Sequence, residues 1–401
     1  MIPYLKIAQT IPTPFYVFDE SGFIDNYKRL CGAMKKVYPN YMLSYSFKTN
    51  YTPYICETVK ELGGYAEVVS DMEYKLAKKI GYQNSQIVYN GPSKGPLLEE
   101  HLRNGGILNI DNLEEAKRVA EYAKEVRGTV KVGLRLNLNI TDSFISRFGM
   151  EIGSEELEKT IKILKSADIK IVGLHCHISR NRGIEAWKKR SQIMIEAADR
   201  YLENTPEYIS LGSGMFADMS EELKGQFSSV PSYEEYAVET LAPFAERYKD
   251  EKPLVFTEPG TTVVARYLNF VTSVLSIKKI RGRYMANMDG SYENLGEICT
   301  MKDLPIQNLT KKGGAIYDAI DIMGYTCLEQ DMMRKAYKGS LAVGDVLVFE
   351  NVGGYSIVSK PQFIKPNCRM VAYTQENKVK EIMREETFED VFSKFSFKSN
   401  G

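Results

Sequence analysis

Short apolar runs alternate with longer stretches of helical spacing from about residue 25 to residue 262. The runs MLSYSFK, YAEVVS, QIVYN, GILNID, KVGLRLN, IVGLHCHIS, YISLGSG and LVFTEPG are short and rich in β-formers. They end at Lys48, Ser70, Asn90, Asp111, Asn137, Ser179, Gly214 and Gly260. Between them lie segments such as EEAKRVAEYAKEVRG and EELEKTIKILKSAD, in which apolar residues recur at helical spacing among strong helix formers. Eight strand-then-helix units in about 240 residues predict an α/β fold, a closed (β/α)8 TIM barrel. A doubly wound sheet ranks second, because it would use fewer strands and no GxGxxG follows the first run.

After Gly260 the helical rhythm fades. YLNFVTSVLSIKKI and GDVLVFENVGGYSIV read as strands separated by Gly and Asp turns. The opening PFYVFDE is also strand-like and precedes the barrel, so it is expected to pair with the C-terminal β region. The expected organisation is therefore a barrel over 25–262 and a β-rich domain made of 1–24 and 263–401. The tail EIMREETFEDVFSKFSF reads as a closing amphipathic or mixed segment.

Composition narrows the function classes. A chain of 401 residues exceeds the usual size of one domain, so about two domains are expected. Hydrophobic residues make up 43% and charged residues 26%, which suits a soluble globular protein with a sizeable core. The formal net charge is 52 − 52 = 0, which gives no reason to expect nucleic acid or an anionic membrane as partner. Six scattered cysteines without a CxxC pair read as reduced thiols. The start MIPYLKIAQTIPTPF has no signal-peptide core and no apolar run is long enough to span a bilayer, so a cytoplasmic location is expected.

Polar residues at the C-terminal ends of barrel strands converge on one mouth. Here they are Lys48, Glu67, Asn90, Arg135, His175, His177, Gly212-Ser213-Gly214 and Glu258. An amine at such a place can become an imine-forming nucleophile. Each residue also has a plainer reading: Glu67 and Arg135 as structural ion-pair members, Glu258 as the lead into a turn. Of only three histidines, two form His175-Cys176-His177, and residues i and i+2 of a strand face the same way. A metal is the rival reading of that pair, but no third ligand stands at familiar spacing, so none is expected. Gly212, Ser213 and Gly214 end a strand with small residues that let backbone N–H groups approach an anion. A candidate imine lysine, a carboxylate and a phosphate turn together point to pyridoxal 5'-phosphate.

An ordered set of motifs sharpens this. Pro14-Phe15-Tyr16-Val17-Phe18-Asp19 is followed by Tyr45-Ser46-Phe47-Lys48-Thr49-Asn50, Ala66-Glu67-Val68-Val69-Ser70 and Asn90-Gly91-Pro92-Ser93-Lys94. Arg147-Phe148-Gly149, Gly173-Leu174-His175-Cys176-His177, Glu258-Pro259-Gly260, Gly324-Tyr325-Thr326-Cys327 and Gly353-Gly354-Tyr355 complete it. In this set the chain resembles the fold-type III PLP-dependent decarboxylases, the group of diaminopimelate, ornithine and arginine decarboxylases, from about Pro14 to Tyr355. The resemblance implies decarboxylation at the α-carboxylate of an amino acid or amino-acid derivative. Lys48 would hold the cofactor as an aldimine, Glu258 would bond the pyridine nitrogen, and His177 would stack on the ring. Glu67 is placed among the cofactor contacts, and Gly212, Ser213, Gly214 and Tyr355 would cradle the phosphate. Cys327 would be the proton donor, supplied by the partner subunit of a head-to-tail homodimer with shared active sites. Arg147 and Asp331 match positions that in relatives pair across that interface.

Four departures stand out against the family pattern. The arginine after Glu-Pro-Gly is Thr261, the middle glycine of the cup is Ser213, and the Gly-Ser pair after His177 is Ser179-Arg180. Arg180 is expected to restore the missing charge. The acidic residue that commonly follows the cysteine is Leu328, so the substrate's far end should not be a lone amine, unless Glu329 or Asp289 recognises it. Two other readings compete. One is a fold-type III amino-acid racemase, which would set an arginine against the pyridine nitrogen. The other is a non-catalytic relative that binds a protein partner.

Overall fold

The computed structural model describes residues 2–140, 145–249, 253–310 and 313–398. It divides into two compact units: Asn26–Phe216 with Ser229–Thr262, and Met1–Asp25 with Ala217–Ser228 and Val263–Gly401. Among the described residues no helix is long and apolar enough to cross a membrane.

In the first unit nine parallel strands are described, of which eight form a ring: β1 (Tyr41–Ser46), β2 (Tyr65–Val68), β3 (Ile87–Tyr89), β4 (Ile107–Ile110), β5 (Lys131–Asn137), β6 (Lys170–His175), β7 (Tyr208–Ser210) and β8 (Leu254–Thr257); the two-residue strand Met150–Glu151 pairs on β5 outside it. Each of the eight pairs with its neighbours in the chain, and β8 pairs with β1 to close the ring. No edge is left, which excludes the doubly wound sheet and gives the (β/α)8 barrel. Tyr41, Leu43, Tyr45, Val88, Leu134 and Phe256 are buried, as expected of parallel strands covered on both faces. Several of the helices between them start where a short polar side chain satisfies a free N–H group. Asn112 Oδ1 accepts from the Glu115 N–H at 2.9 Å, and Ser232 Oγ accepts from the Glu235 N–H at 3.1 Å. Glu235 returns a bond to the Ser232 N–H at 2.7 Å, closing a capping box.

Two glycines make room inside the barrel for Tyr208. A Cβ on Gly133 would stand 2.1 Å from its hydroxyl, and one on Gly173 2.4 Å from its ring. The Tyr208 ring stacks on Phe256 at 5.5 Å.

The strands stop short of the apolar runs that announce them. β1 ends at Ser46, and Lys48 lies in a single 3-10 turn, Phe47–Thr49. β6 ends at His175 because its neighbour β7 ends at Ser210, after which the chain turns through Gly212 at φ 59° and offers no further ladder. The same-face argument for His175 and His177 therefore fails: His177 lies in the loop beyond the strand, and its direction is set by loop contacts.

In the second unit the N-terminal strand Phe15–Asp19 lies between two C-terminal ones. It pairs antiparallel with Leu268–Ile280, Phe15 opposite Val271, and parallel with Met370–Tyr373, Tyr16 opposite Met370. Phe15, Val17, Val271, Val348 and Val371 share one buried cluster. Ala217–Ser228 joins this unit, a placement hidden by its sequence position between two barrel runs. Asp218 Oδ2 accepts from Arg266 at 2.9 Å and from the Tyr267 hydroxyl at 2.7 Å. The tail adds a strand, Val379–Met383, and a short helix, Phe388–Phe392.

Candidate active site

The strand ends of the barrel gather one polar cluster. Lys48 Nζ lies 2.6 Å from Glu67 Oε2, and Ser46 Oγ donates to the same oxygen at 2.5 Å. Asn90 Nδ2 spans two carboxylates, 3.2 Å from Glu67 Oε1 and 3.0 Å from Glu258 Oε1. Glu258 also accepts from Ser210 Oγ at 2.7 Å and from His175 Nε2 at 3.1 Å. Register explains the convergence: Ser46 sits opposite Glu67 and His175 opposite Ser210 on neighbouring strands. Asn90 is itself oriented from within the barrel. Its Oδ1 accepts from Asn109 Nδ2, whose Oδ1 accepts from the Tyr208 hydroxyl, each at 2.8 Å.

Glu258 is 1% exposed. Burial pushes its carboxyl up, but the charge and hydrogen bond of His175, with His177 and Lys48 behind them, outweigh this and hold it at about 2. The group is thus an ionised carboxylate in a dry place. Oε1 takes two donors and Oε2 one, which leaves acceptor capacity for a further N–H. The Glu-Pro-Gly turn packs on the lysine turn: the Ser46 N–H donates to Pro259 O at 3.3 Å, and a Cβ on Gly260 would fall 1.9 Å from Thr49 Oγ1.

The His177 imidazole is pushed well below its ordinary value, first by burial and then by Lys48. It is neutral, and its Nδ1 accepts from the Ser213 N–H at 3.4 Å. Gly212 and Gly214 take φ of 59° and 110°, where a side chain is strained. A Cβ there would meet Cys176 O at 2.4 Å and Ile178 O at 2.2 Å, so the glycine turn lies directly on the loop that carries His177 and Ser179. Among the described residues the N–H groups of Ser179 and Gly214 have no acceptor. Orphan donors on a glycine turn fit an anion. Thr261 is half-buried at the start of the short helix Thr261–Val264, and Ser179 and Arg180 are exposed.

Two of the plainer readings are now resolved. Arg135 pairs with buried Asp111 at 2.9 Å and is a structural ion-pair member. Glu67 does not join it and takes Lys48 instead. Among the described residues no group of three or more His, Cys, Asp or Glu could hold a metal ion.

Tyr355, Cys327, Asp289 and Glu329 belong to the second unit. Tyr355 is 41% exposed, and Cys327 and Glu329 are exposed. Exposure sets Cys327 apart from the usual buried free thiol. Asp289 is buried: Oδ1 accepts from Thr272 Oγ1 at 2.6 Å and Ser273 N–H at 2.9 Å, and Oδ2 from Thr13 Oγ1 at 2.6 Å. Those bonds make it an anchor of its own unit. Asp331 is buried and accepts from the N–H groups of Tyr292 and Thr326, at 2.9 and 3.0 Å, so it shapes the turn that carries Cys327.

A family model described as the pyridoxal-binding domain of the pyridoxal-dependent decarboxylases matches residues 24–265. The chain belongs to this family. The decarboxylase is 25% identical to diaminopimelate decarboxylase of Methanocaldococcus jannaschii over 97% of its own length and 92% of that protein's. It is 26% identical to the Helicobacter pylori enzyme of the same name, over 98% of each. The crystal structure of the M. jannaschii diaminopimelate decarboxylase superposes with a TM-score of 0.86 at 24% identity, covering 99% of this chain and 95% of that one. The decarboxylase is a carboxy-lyase that uses pyridoxal phosphate. The cofactor fits the residues present: an amine at Lys48, an ionised carboxylate at Glu258 and orphan N–H donors at the glycine turn. A racemase would need a cation where Glu258 stands.

The sequence alone does not assign roles to Ser46, Asn109, Tyr208 and Ser210. A weak signal existed, since each is a polar or hydroxyl-bearing residue set in an apolar strand run.

Proposed function

We propose that the decarboxylase removes the α-carboxylate of an amino acid whose cofactor is carried covalently by Lys48, in a head-to-tail homodimer with shared active sites. Cys327 of the partner subunit returns a proton to the substrate's α-carbon. The observation that carries the reading is Asn90, whose one amide nitrogen bridges the carboxylate beside Lys48 and the ionised Glu258. Pyridoxal phosphate supplies the electron sink for the pair left behind by CO2.

The chain's own residues do the rest. Glu67 positions the Lys48 amine, and Glu258 keeps a proton on the ring nitrogen by remaining ionised. Neutral His177 offers a flat face, held by Ser213. The exposed thiol of Cys327 serves as general acid. Leu328 beside it gives no charge for a lone distal ammonium, whereas exposed Glu329 can take the amine of a far end that also bears a carboxylate. Diaminopimelate, on which the similar enzymes are named to act, has such an end.

The test is CO2 release by the PLP-loaded protein from diaminopimelate, lysine, ornithine and arginine. Diaminopimelate should give the highest kcat/KM, and Glu329→Ala should lower it. Lysine or ornithine as best substrate with Glu329→Ala fully active would sink the substrate assignment. No CO2 from any amino acid would sink the decarboxylase reading.

A further inference from the structure

We propose that Arg190 is the positioning residue that builds the phosphate cup from behind, holding three peptide carbonyls of its two segments, two of whose paired N–H groups, on Ser179 and Gly214, serve the cofactor's phosphate. The inference rests on the glycine turn being that cup. It concerns how the cup acquires its charge.

Arg190 is fully buried in the helix Ile184–Tyr201. Its NH1 donates to Leu211 O at 2.8 Å and Ser213 O at 3.0 Å, and NH2 to Ile178 O at 3.3 Å. Each carbonyl belongs to the peptide group whose N–H is carried by the next residue: Ser179 and Gly214, whose N–H groups have no acceptor among the described residues, and Gly212, whose N–H donates to Ser210 Oγ at 3.3 Å. A guanidinium bonded to a carbonyl draws electron density along the peptide and makes its N–H a stronger donor. The guanidinium lies over the Trp187 ring at 3.9 Å. Among the described residues no carboxylate pairs with it, and its Nε makes no hydrogen bond. Burial lowers it to about 10, so it is still a cation at neutral pH. A buried charge without a counter-ion is strongly unfavourable. A phosphate on the far side of the same peptides is the missing counter-charge. Arg180 is exposed, whereas Arg190 is already fixed to both segments of the cup. The cup thus works with Thr261 and Ser213 because its cation stands one layer back.

Two variants test this: Arg190→Met, which keeps apolar volume over Trp187 and loses the charge, and Arg190→Lys. The dissociation constants of PLP and of pyridoxal, which has the aldehyde but no phosphate, are measured on the purified protein by absorbance and fluorescence. Arg190→Met should weaken PLP by roughly tenfold or more and leave pyridoxal unchanged, with Arg190→Lys between. Equal weakening of both ligands, or unchanged PLP binding, would overturn the proposal. Should the variants not fold, phosphorus NMR of PLP bound to the unaltered protein decides. The phosphate should remain dianionic at pH values where free PLP has taken up a proton, and protonation as in free PLP would contradict the role. PLP bound without a link to Lys48 would defeat the proposed function but not this inference, since the preference for PLP over pyridoxal is read separately.

Discussion

His175 Nε2 lies 3.1 Å from Glu258 Oε2, with both side chains sealed from solvent. His175 Nδ1 has no hydrogen-bond partner among the described residues, and the ring's one side-chain bond is the Nε2–H donated to the carboxylate. The bond explains how a carboxyl group can stay ionised at the bottom of the barrel mouth, where burial alone would neutralise it.

Glu258→Gln keeps the shape of this site and removes its charge. The new amide is close in size to the carboxylate and can keep its oxygen toward Asn90 and Ser210, so the fold should tolerate the change. Uptake of PLP, read by absorbance, should persist while kcat falls by about 10²-fold or more. Unchanged kcat would remove Glu258 from the chemistry.

Asn90→Asp replaces the shared donor with a third carboxyl between two carboxylates. Its neighbours raise the new group's pKa, so at low pH it is protonated and still donates. Ionisation as pH rises brings like charges together. The melting temperature relative to the parent protein should therefore fall with increasing pH; a pH-independent difference would mean that the three groups are not coupled.

His101 reports on acid stability. It is buried, with Nε2 at 3.0 Å from Ile107 O and the rings of Tyr74 and Tyr89 edge-on to it. Burial lowers it from 6.5 to about 4. Between those values the unfolded chain binds a proton that the folded chain does not, so stability is complete above pH 6.5 and is lost as pH falls toward 4. The group's share is at most about 3 kcal/mol. Urea unfolding should show that decline, and His101→Gln should flatten it. Glu258, held down to about 2, adds a second loss as pH falls from the ordinary 4.5 toward 2.

Shared active sites predict complementation. Lys48→Ala and Cys327→Ala should each be inactive alone. Mixed, unfolded and refolded together, they should recover about a quarter of full activity, because half of the randomly assembled dimers carry one intact site of two. No recovery would place the lysine and the thiol of each site in one chain.

Much of this was legible in the sequence because the barrel repeats one pattern eight times and its strand ends carry residues whose chemistry is distinctive. Lys48 and Glu258 stand at the ends of the runs MLSYSFK and LVFTEPG, and it was the ordered set of motifs that singled them out. The supporting polar layer could not be found this way. Ser210 and Asn109 are single polar residues in apolar runs, and their purpose depends on which strands become neighbours. Arg190 was hidden most deeply. It follows two lysines in a helix, where a basic residue normally faces water, and its three acceptors are backbone carbonyls at Ile178, Leu211 and Ser213. The stretch Ala217–Ser228 leaves the barrel's unit through bonds to Arg266, Tyr267 and Asp303, contacts that no local pattern encodes.

The central claim is that Lys48 is the amine that carries the cofactor. The protein loaded with PLP is reduced with borohydride, digested, and the modified peptide identified by mass spectrometry. The account predicts a single pyridoxyl group on Lys48, absent from Lys48→Ala. A label on any other lysine, or labelling that persists in Lys48→Ala, would contradict it.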